Sequence, residues 1–321
     1  MDSIARKSRT ISDFKVPTVE EIKNARKKRP VAIMLTVYAD ESSDEKQNRI
    51  FAIGGLIGSQ EEWDSVERTW LDRTGGIEFH ATDCEANRGN FRDSPPEKNR
   101  ALYKDLTNIL AQSPLWGFGN AIDIRGYKDT VPHTLDVAPY FQCFLNVVDR
   151  ISQLGSVYIP RQKVKFIFHR RFETQYNAFY LYDFLCKSDR VGPPKNMMDE
   201  ISSATSATIG IQVADLFSRE VMKDFEWHLD RQAGVIIRRR RLSWETLNDT
   251  NRFKYMFWFK EDFEHLVQRM SLMKKEKGDQ WAAYEKWLLQ EGCADNAENR
   301  TRFLFYTESI ETKSNKSKVK S

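Results

Sequence analysis

Two apolar runs placed back to back near the start of the chain constrain its fold more than any other feature. Residues 31–42 read VAIMLTVYADES and residues 49–58 read RIFAIGGLIG, with the polar link SDEKQN between them. Short runs rich in β-branched residues and bounded by turn-formers are buried strands. Two such strands with a brief polar link predict an antiparallel hairpin whose loop is somewhat longer than the tight two-residue kind.

The chain beyond the hairpin alternates in period. EEWDSVERTWLDR sets Trp63, Val66, Trp70 and Leu71 at helical spacing, and IEFHATD follows as a short extended segment. NRALYKDLTNILAQS is an amphipathic helix with Leu102, Leu106, Ile109 and Leu110 on one face, and LWGFGNAIDI is a strand containing Asp123. A helix through PYFQCFLNVVDRISQLG leads into the strand VKFIFHRR, and YNAFYLYDFLCK reads as a further helix. After a Gly-Pro-Pro break and a Ser/Thr-rich stretch, a helix begins near Ile209; YMFWFKEDFEHLVQRM and WAAYEKWLL read as helical too. Strands and helices in alternation make this an α/β chain. The expected division is a basic N-terminal segment over 1–30, an α/β domain over 31–230, a helical C-terminal extension over 231–310 and a basic tail over 311–321.

With 50 Lys and Arg against 46 Asp and Glu, the net charge of +4 says little, but its distribution is uneven. Basic residues cluster at Lys23–Arg29, at Arg238–Arg241 and in the last nine residues, where they can meet phosphates or lie on a solvated face. The four cysteines are scattered without a C-x-x-C pair, which argues against a zinc ribbon or a disulfide framework. No run approaches a membrane span and the N-terminus lacks a signal-peptide core, so a cytoplasmic protein is expected.

Chemistry is concentrated in a few acids. In IGIQVADLFSREVMKDF the residues Ile211, Ala214, Val221, Met222 and Phe225 form an apolar stripe, and Asp215 lies within it. A carboxylate facing a core needs a donor, a cation or a metal to answer it. Asp215 is therefore either a metal ligand or a structural acid held by backbone groups or an arginine. Asp40 and Glu41 stand where the first strand meets its turn, where acids also serve ordinary turn chemistry. Together, Asp40 and Asp215 would be the kind of carboxylate pair that holds Mg²⁺ or Mn²⁺ against a phosphodiester. GIEFHATDCEANRGNF adds Glu78, His80, Asp83 and Glu85, with Glu78 and His80 on one face of an extended chain.

Taken in order, YADESSD, FAIGGL, the tryptophan-bearing helix, FHATD and IQVADLF resemble the large bacterial family of unknown function numbered 3800. Its pattern is a D-E-S-G-D strand end, a G-G strand, an H-A-x-E/D segment and a Q-x-A-D-L helix, matched here from about Val31 to Phe225. The resemblance implies a ribonuclease H-like fold, with a mixed sheet flanked by helices and acids that bind two divalent ions. It implies metal-ligand roles for Asp40 and Asp215, and matches Glu41, His80 and Asp83 to polar positions of the family. Two departures stand out. DESSD replaces a glycine-containing turn, and the strand VKFIF ends in His169, Arg170 and Arg171 where family members often carry acids. His169 could bind metal or act as a base, Glu173 could reach the site, and Arg170 and Arg171 could grip a phosphate. The expectation is a metal-dependent nuclease with His80 or His169 in proton transfer and nucleic-acid contacts from Arg170, Arg171, Arg238, Arg239, Arg240 and Arg241. The alternatives are a ribonuclease H-like module that binds nucleic acid or a protein without cleaving, or a toxin-like effector on a cellular RNA.

Overall fold

The computed structural model describes residues 34–44, 48–132, 139–158, 163–170, 198–235, 239–276 and 278–293, with Phe179, Tyr182 and Asn299. The expected helix YNAFYLYDFLCK, the basic N-terminal segment and the basic tail lie outside the described residues, wholly or nearly so. The chain divides into two compact units, Met1–Ala121 with Cys143–Phe257, and Ile122–Gln142 with Trp258–Ser321.

The first unit is built on the hairpin. Strand β1 (Leu35–Ser43) pairs antiparallel with β2 (Ile50–Ser59), with Asp40 opposite Gly54. Every residue of β2 is buried, as its unbroken apolar run requires. Next along the sheet comes β3 (Trp116–Asp123). On the other side of β1 lies β4 (Val164–His169), parallel to it, and then β5 (Met198–Ala204), parallel to β4. A sixth strand, β6 (Phe253–Trp258), completes the order β5-β4-β1-β2-β3-β6. A mixed sheet with a central first strand, an antiparallel hairpin on one side and parallel strands on the other, flanked by helices, is ribonuclease H-like.

Helices cover both faces. Helix α1 (Gln60–Thr74) opens on a capping box, in which Ser59 Oγ accepts the Glu62 amide while the Glu62 carboxylate accepts the Ser59 amide. The short α2 (Ala81–Ala86) and the longer α3 (Pro96–Gln112) follow. Helix α4 (Ile124–Thr130) belongs to the second unit, and α5 (Pro139–Tyr158) packs Val147 and Ile151 against Gly55. The opposite face, bearing Asp40 and Gly54, is crossed by α6 (Ile209–Gln232), and α7 (Leu242–Asp249) precedes β6. In the second unit, α8 (Lys260–Glu276) and α9 (Gly278–Glu291) follow, with Tyr127 of α4 edge-on to Phe263 at 5.2 Å. Among the described residues no helix is long and apolar enough to cross a membrane.

The elements depart from the sequence reading in three places. The Ser/Thr-rich stretch before Ile209 contains β5, the residues YMFW finish a strand before α8 begins, and IEFHATD is irregular to His80 and then helical. In the first two cases the strand ends the sheet among the described residues, and there the apolar signal weakens or merges with that of the next element.

Candidate active site

Close packing brings α6 down onto the sheet at the point where Asp40 emerges. A Cβ at Gly54, the residue opposite Asp40, would sit 2.8 Å from Phe217 and 2.9 Å from the Ser218 backbone. A Cβ at Gly210 would collide with the ring of Tyr38, two residues before Asp40 on the same face. Glycine at these two contacts lets the helix backbone approach the strands closely. Asp215 lies between them on α6 and is carried over the end of β1.

Both carboxylates are nearly closed off, each 5% exposed. Asp215 Oδ2 accepts the Ala81 amide at 2.6 Å, and Asp40 Oδ1 accepts the amide of Glu41 at 2.7 Å. In the parallel pairing Ala39 lies beside Phe168, so Asp40 and His169 leave the sheet side by side, and His169 Nδ1 donates to Asp40 Oδ1 at 3.0 Å. Burial and then the Asp40 charge push the Asp215 carboxyl up to about 7, against the opposing pull of His80, the Ala81 amide and Arg219. The hydrogen bond with Asp40 raises the His169 pKa above its ordinary value, with the Asp40, Asp215 and Glu78 charges acting in the same direction against burial. Asp40, Asp215 and His169 thus form one electrostatic group, with His80 and Glu78 within its field.

The remaining candidates occupy different positions. Glu41 alternates with Asp40 along β1 and faces Ile53 across the pair. His80 stands before α2 with its side chain half exposed, and its Nδ1 lies 3.5 Å from Asp83 Oδ2. Glu85, also on α2, accepts Arg219 Nε at 2.7 Å and pairs with Arg241. Arg241 further bonds the fully buried Glu220 at 2.8 Å, which also accepts the Tyr103 hydroxyl at 2.6 Å and Ser243 Oγ at 2.7 Å. Arg240 clasps the buried Asp224 with two guanidinium nitrogens. The donors of Arg240 and Arg241 are thus engaged within the fold, whereas Arg239 is 84% exposed beside Glu245, 3.5 Å away. Arg170 follows β4 with its amide on Ala204 O and its residue exposed; Arg171, Glu173 and Arg238 lie outside the described residues. In the second unit Asp123 caps α4 by accepting the Arg125 amide at 3.1 Å.

Gln212 was not singled out by sequence, yet it organises the site. Buried one turn before Asp215, its Oε1 accepts both Trp70 Nε1 and the Phe79 amide at 3.1 Å, and its Nε2 donates to Ser206 O at 3.0 Å. Alternate amides of the segment 79–81 are thereby docked on consecutive turns of α6, Phe79 on Gln212 and Ala81 on Asp215. The glutamine in IQVADLF was the available signal, a polar side chain on the same apolar helix face as Asp215.

Among the described residues no cluster of three or more His, Cys, Asp and Glu side chains is arranged as a complete metal cage. A pair of buried carboxylates that repel one another is nevertheless an oxygen donor set suited to Mg²⁺ or Mn²⁺, which keep several waters and take one or two carboxylates together with substrate phosphates.

No protein-family model matches the chain, and no curated protein matches it in sequence. Among solved structures it is similar to Bst-RNase HIII in complex with Mn²⁺, at 9% identity and a TM-score of 0.37 over 67% of this chain and 65% of that one. It is likewise similar to a glutamine-to-alanine mutant of Bst-RNase HIII, at 8% identity and a TM-score of 0.36 over 74% of this chain and 70% of that one. The chain therefore spans just under two thirds of the first of these structures. The ribonuclease H-like assignment rests on the strand order and directions described above.

Proposed function

We propose that this chain is a divalent-metal-dependent nuclease of the family numbered 3800, hydrolysing phosphodiester bonds in nucleic acid at Asp40 and Asp215. One observation carries this reading: two carboxylates from distant parts of the chain are buried in each other's field at the end of the central strand, and burial with Asp40 lifts Asp215 to about 7. Such mutual repulsion in a closed setting is a standing cost to the fold, and functional sites are where it is retained.

Asp40 and Asp215 would hold the cation, Mg²⁺ or Mn²⁺. When bound, such an ion activates a water and neutralises charge on the phosphate. His169 restrains the Asp40 carboxylate through their hydrogen bond, sharing Oδ1 with the Glu41 amide. His80, half exposed at the rim beside Asp215, would move a proton at the leaving oxygen. The exposed Arg170 and Arg239 would engage phosphates without reading sequence.

The test is incubation of the purified protein with end-labelled single- and double-stranded DNA and RNA in Mn²⁺. Cleavage that falls at least a hundredfold in Asp40→Ala and in Asp215→Ala is the expected result. Absence of cleavage on every polymer, or cleavage undiminished in both variants, overturns the reading. One observation favours the second reading, a module that binds nucleic acid without cutting: an imidazole, not an acid, stands beside Asp40 on β4. Under that reading the same polymers bind with unchanged affinity in Asp215→Asn and remain intact.

A further inference from the structure

We propose that the site takes a single divalent cation, and that His169 is the positioning residue that limits it to one. The proposal rests on the metal-dependent reading of the site and adds to it a stoichiometry and a role for a residue that is not itself a ligand.

A carboxylate that bridges two neighbouring cations offers one oxygen to each. Asp40 Oδ1 already accepts two N–H groups, the Glu41 amide at 2.7 Å and His169 Nδ1 at 3.0 Å. Both donors are held by the sheet itself, since Glu41 follows Asp40 on β1 and His169 ends the parallel neighbour β4. An oxygen whose acceptor directions are filled by two fixed donors has little capacity left for a cation, and a cation on that side would meet the two N–H dipoles positive end first. Asp215 is restricted in a parallel way, because its Oδ2 accepts the Ala81 amide at 2.6 Å. Asp40 and Asp215 would hold one such ion through the oxygens not taken by these donors, with water and phosphate completing it, and would leave no bridging oxygens for a second.

The role of His169 comes from the same geometry. The imidazole N–H restrains the rotation of the Asp40 carboxylate about its last bond, holding Oδ1 toward His169. Neutral imidazole with its proton on Nδ1 is sufficient for this, so that the role needs no charge on the ring. Removing the ring should loosen the carboxylate and weaken the ion, while an asparagine, which retains a short N–H donor, should recover part of the affinity.

The experiment is equilibrium dialysis of the full chain against Mn²⁺, with metal content measured directly and the spin-resonance spectrum recorded at saturation. The expected result is one Mn²⁺ per chain with the six-line spectrum of an isolated ion. His169→Ala should bind at least about tenfold more weakly, His169→Asn within a few-fold of wild type, and circular dichroism should show all variants folded. Two Mn²⁺ per chain with an exchange-coupled spectrum overturns the single-ion proposal and leaves the metal-dependent reading standing. One ion whose affinity is unchanged in folded His169→Ala overturns the positioning role. No specific Mn²⁺ binding by the wild type, or binding unchanged in Asp215→Asn, overturns the underlying reading instead. Should His169→Ala fail to fold, the wild-type stoichiometry and the His169→Asn affinity still decide between these outcomes.

Discussion

Asp215 makes the folded chain sensitive to pH in a direction opposite to that of an ordinary paired carboxylate. Its pKa in the fold is about 7, above the ordinary 3.8. A group raised on folding contributes stability that is complete below its unfolded value and is lost as pH rises through its folded value. His169, also raised, acts with the same sign at higher pH. The metal-free protein should therefore be less stable to urea at about pH 8 than at about pH 5, by roughly 1–3 kcal/mol. Saturating Mn²⁺ should remove most of that difference, and Asp215→Asn should flatten the part between pH 4 and 7. A metal-free protein that is more stable at the higher pH would contradict this assignment of charge. Gln212 allows a second check: Gln212→Leu strands the buried N–H groups of Trp70 and Phe79, at a cost of about 1–3 kcal/mol. Hydrogen exchange at Phe79 and Ala81 should accelerate with it.

These residues also show what a sequence can convey about a site. Asp40 and Asp215 were legible because each violates its surroundings, one closing an apolar strand and the other interrupting an apolar helix stripe. Gln212 was not, because the partners that give it meaning lie 142 and 133 residues away along the chain. His169 was visible as a departure at a strand end, but its bond to Asp40 depends on the parallel register of β4 with β1, which no local pattern encodes.

Among the elements, α6 determines how the site is assembled, and Gly54 determines how closely α6 lies on the sheet. Gly54→Ala would insert a methyl where 2.8 Å separates the new carbon from Phe217 and 2.9 Å from the helix backbone. A helix backbone cannot yield as a side-chain tip can, so α6 must lift or tilt over β2. Overpacking of this kind costs about 1–3 kcal/mol, to be measured as a fall in the urea midpoint. Because the displaced segment carries Asp215, the same variant should bind Mn²⁺ more weakly. Gly75→Ala serves as the comparison: its strain comes from a left-handed φ of 62° at the end of α1, with no atom within 4 Å of the added carbon, and it should lose stability without losing metal affinity. The elements themselves were readable where their period was strong, as in β1, β2, α1, α3 and α6. The terminal strands β5 and β6 were not, since each has one neighbour in the sheet among the described residues and carries less of the burial pattern from which strands are read.

For the molecule as a whole, the arginine run preceding α7 shows why charge counted along a chain is a poor guide to its field. Arg240 and Arg241 are locked onto Asp224, Glu220 and Glu85, and their charges are compensated within the fold. Removing one partner of a buried pair leaves the other charge uncompensated, so Arg241→Ala should destabilise the protein by about 3–5 kcal/mol. Arg239 is 84% exposed and its pairing with Glu245 is worth little, so Arg239→Ala should leave stability within about 0.5 kcal/mol of wild type. Binding to nucleic acid should sort the two the opposite way. Each phosphate contact contributes about one unit to the slope of log affinity against log salt. With a fluorescent oligonucleotide titrated in EDTA to suppress cleavage, Arg239→Ala should reduce that slope by about one. A charge-removing Arg241 variant that circular dichroism shows folded, such as Arg241→Gln, should leave it unchanged, because the Arg241 charge answers Glu85 and Glu220 and not a ligand. Equal slope changes in both variants would mean that the arginines act as one basic patch, and that the ion pairs beneath it open when a polyanion binds.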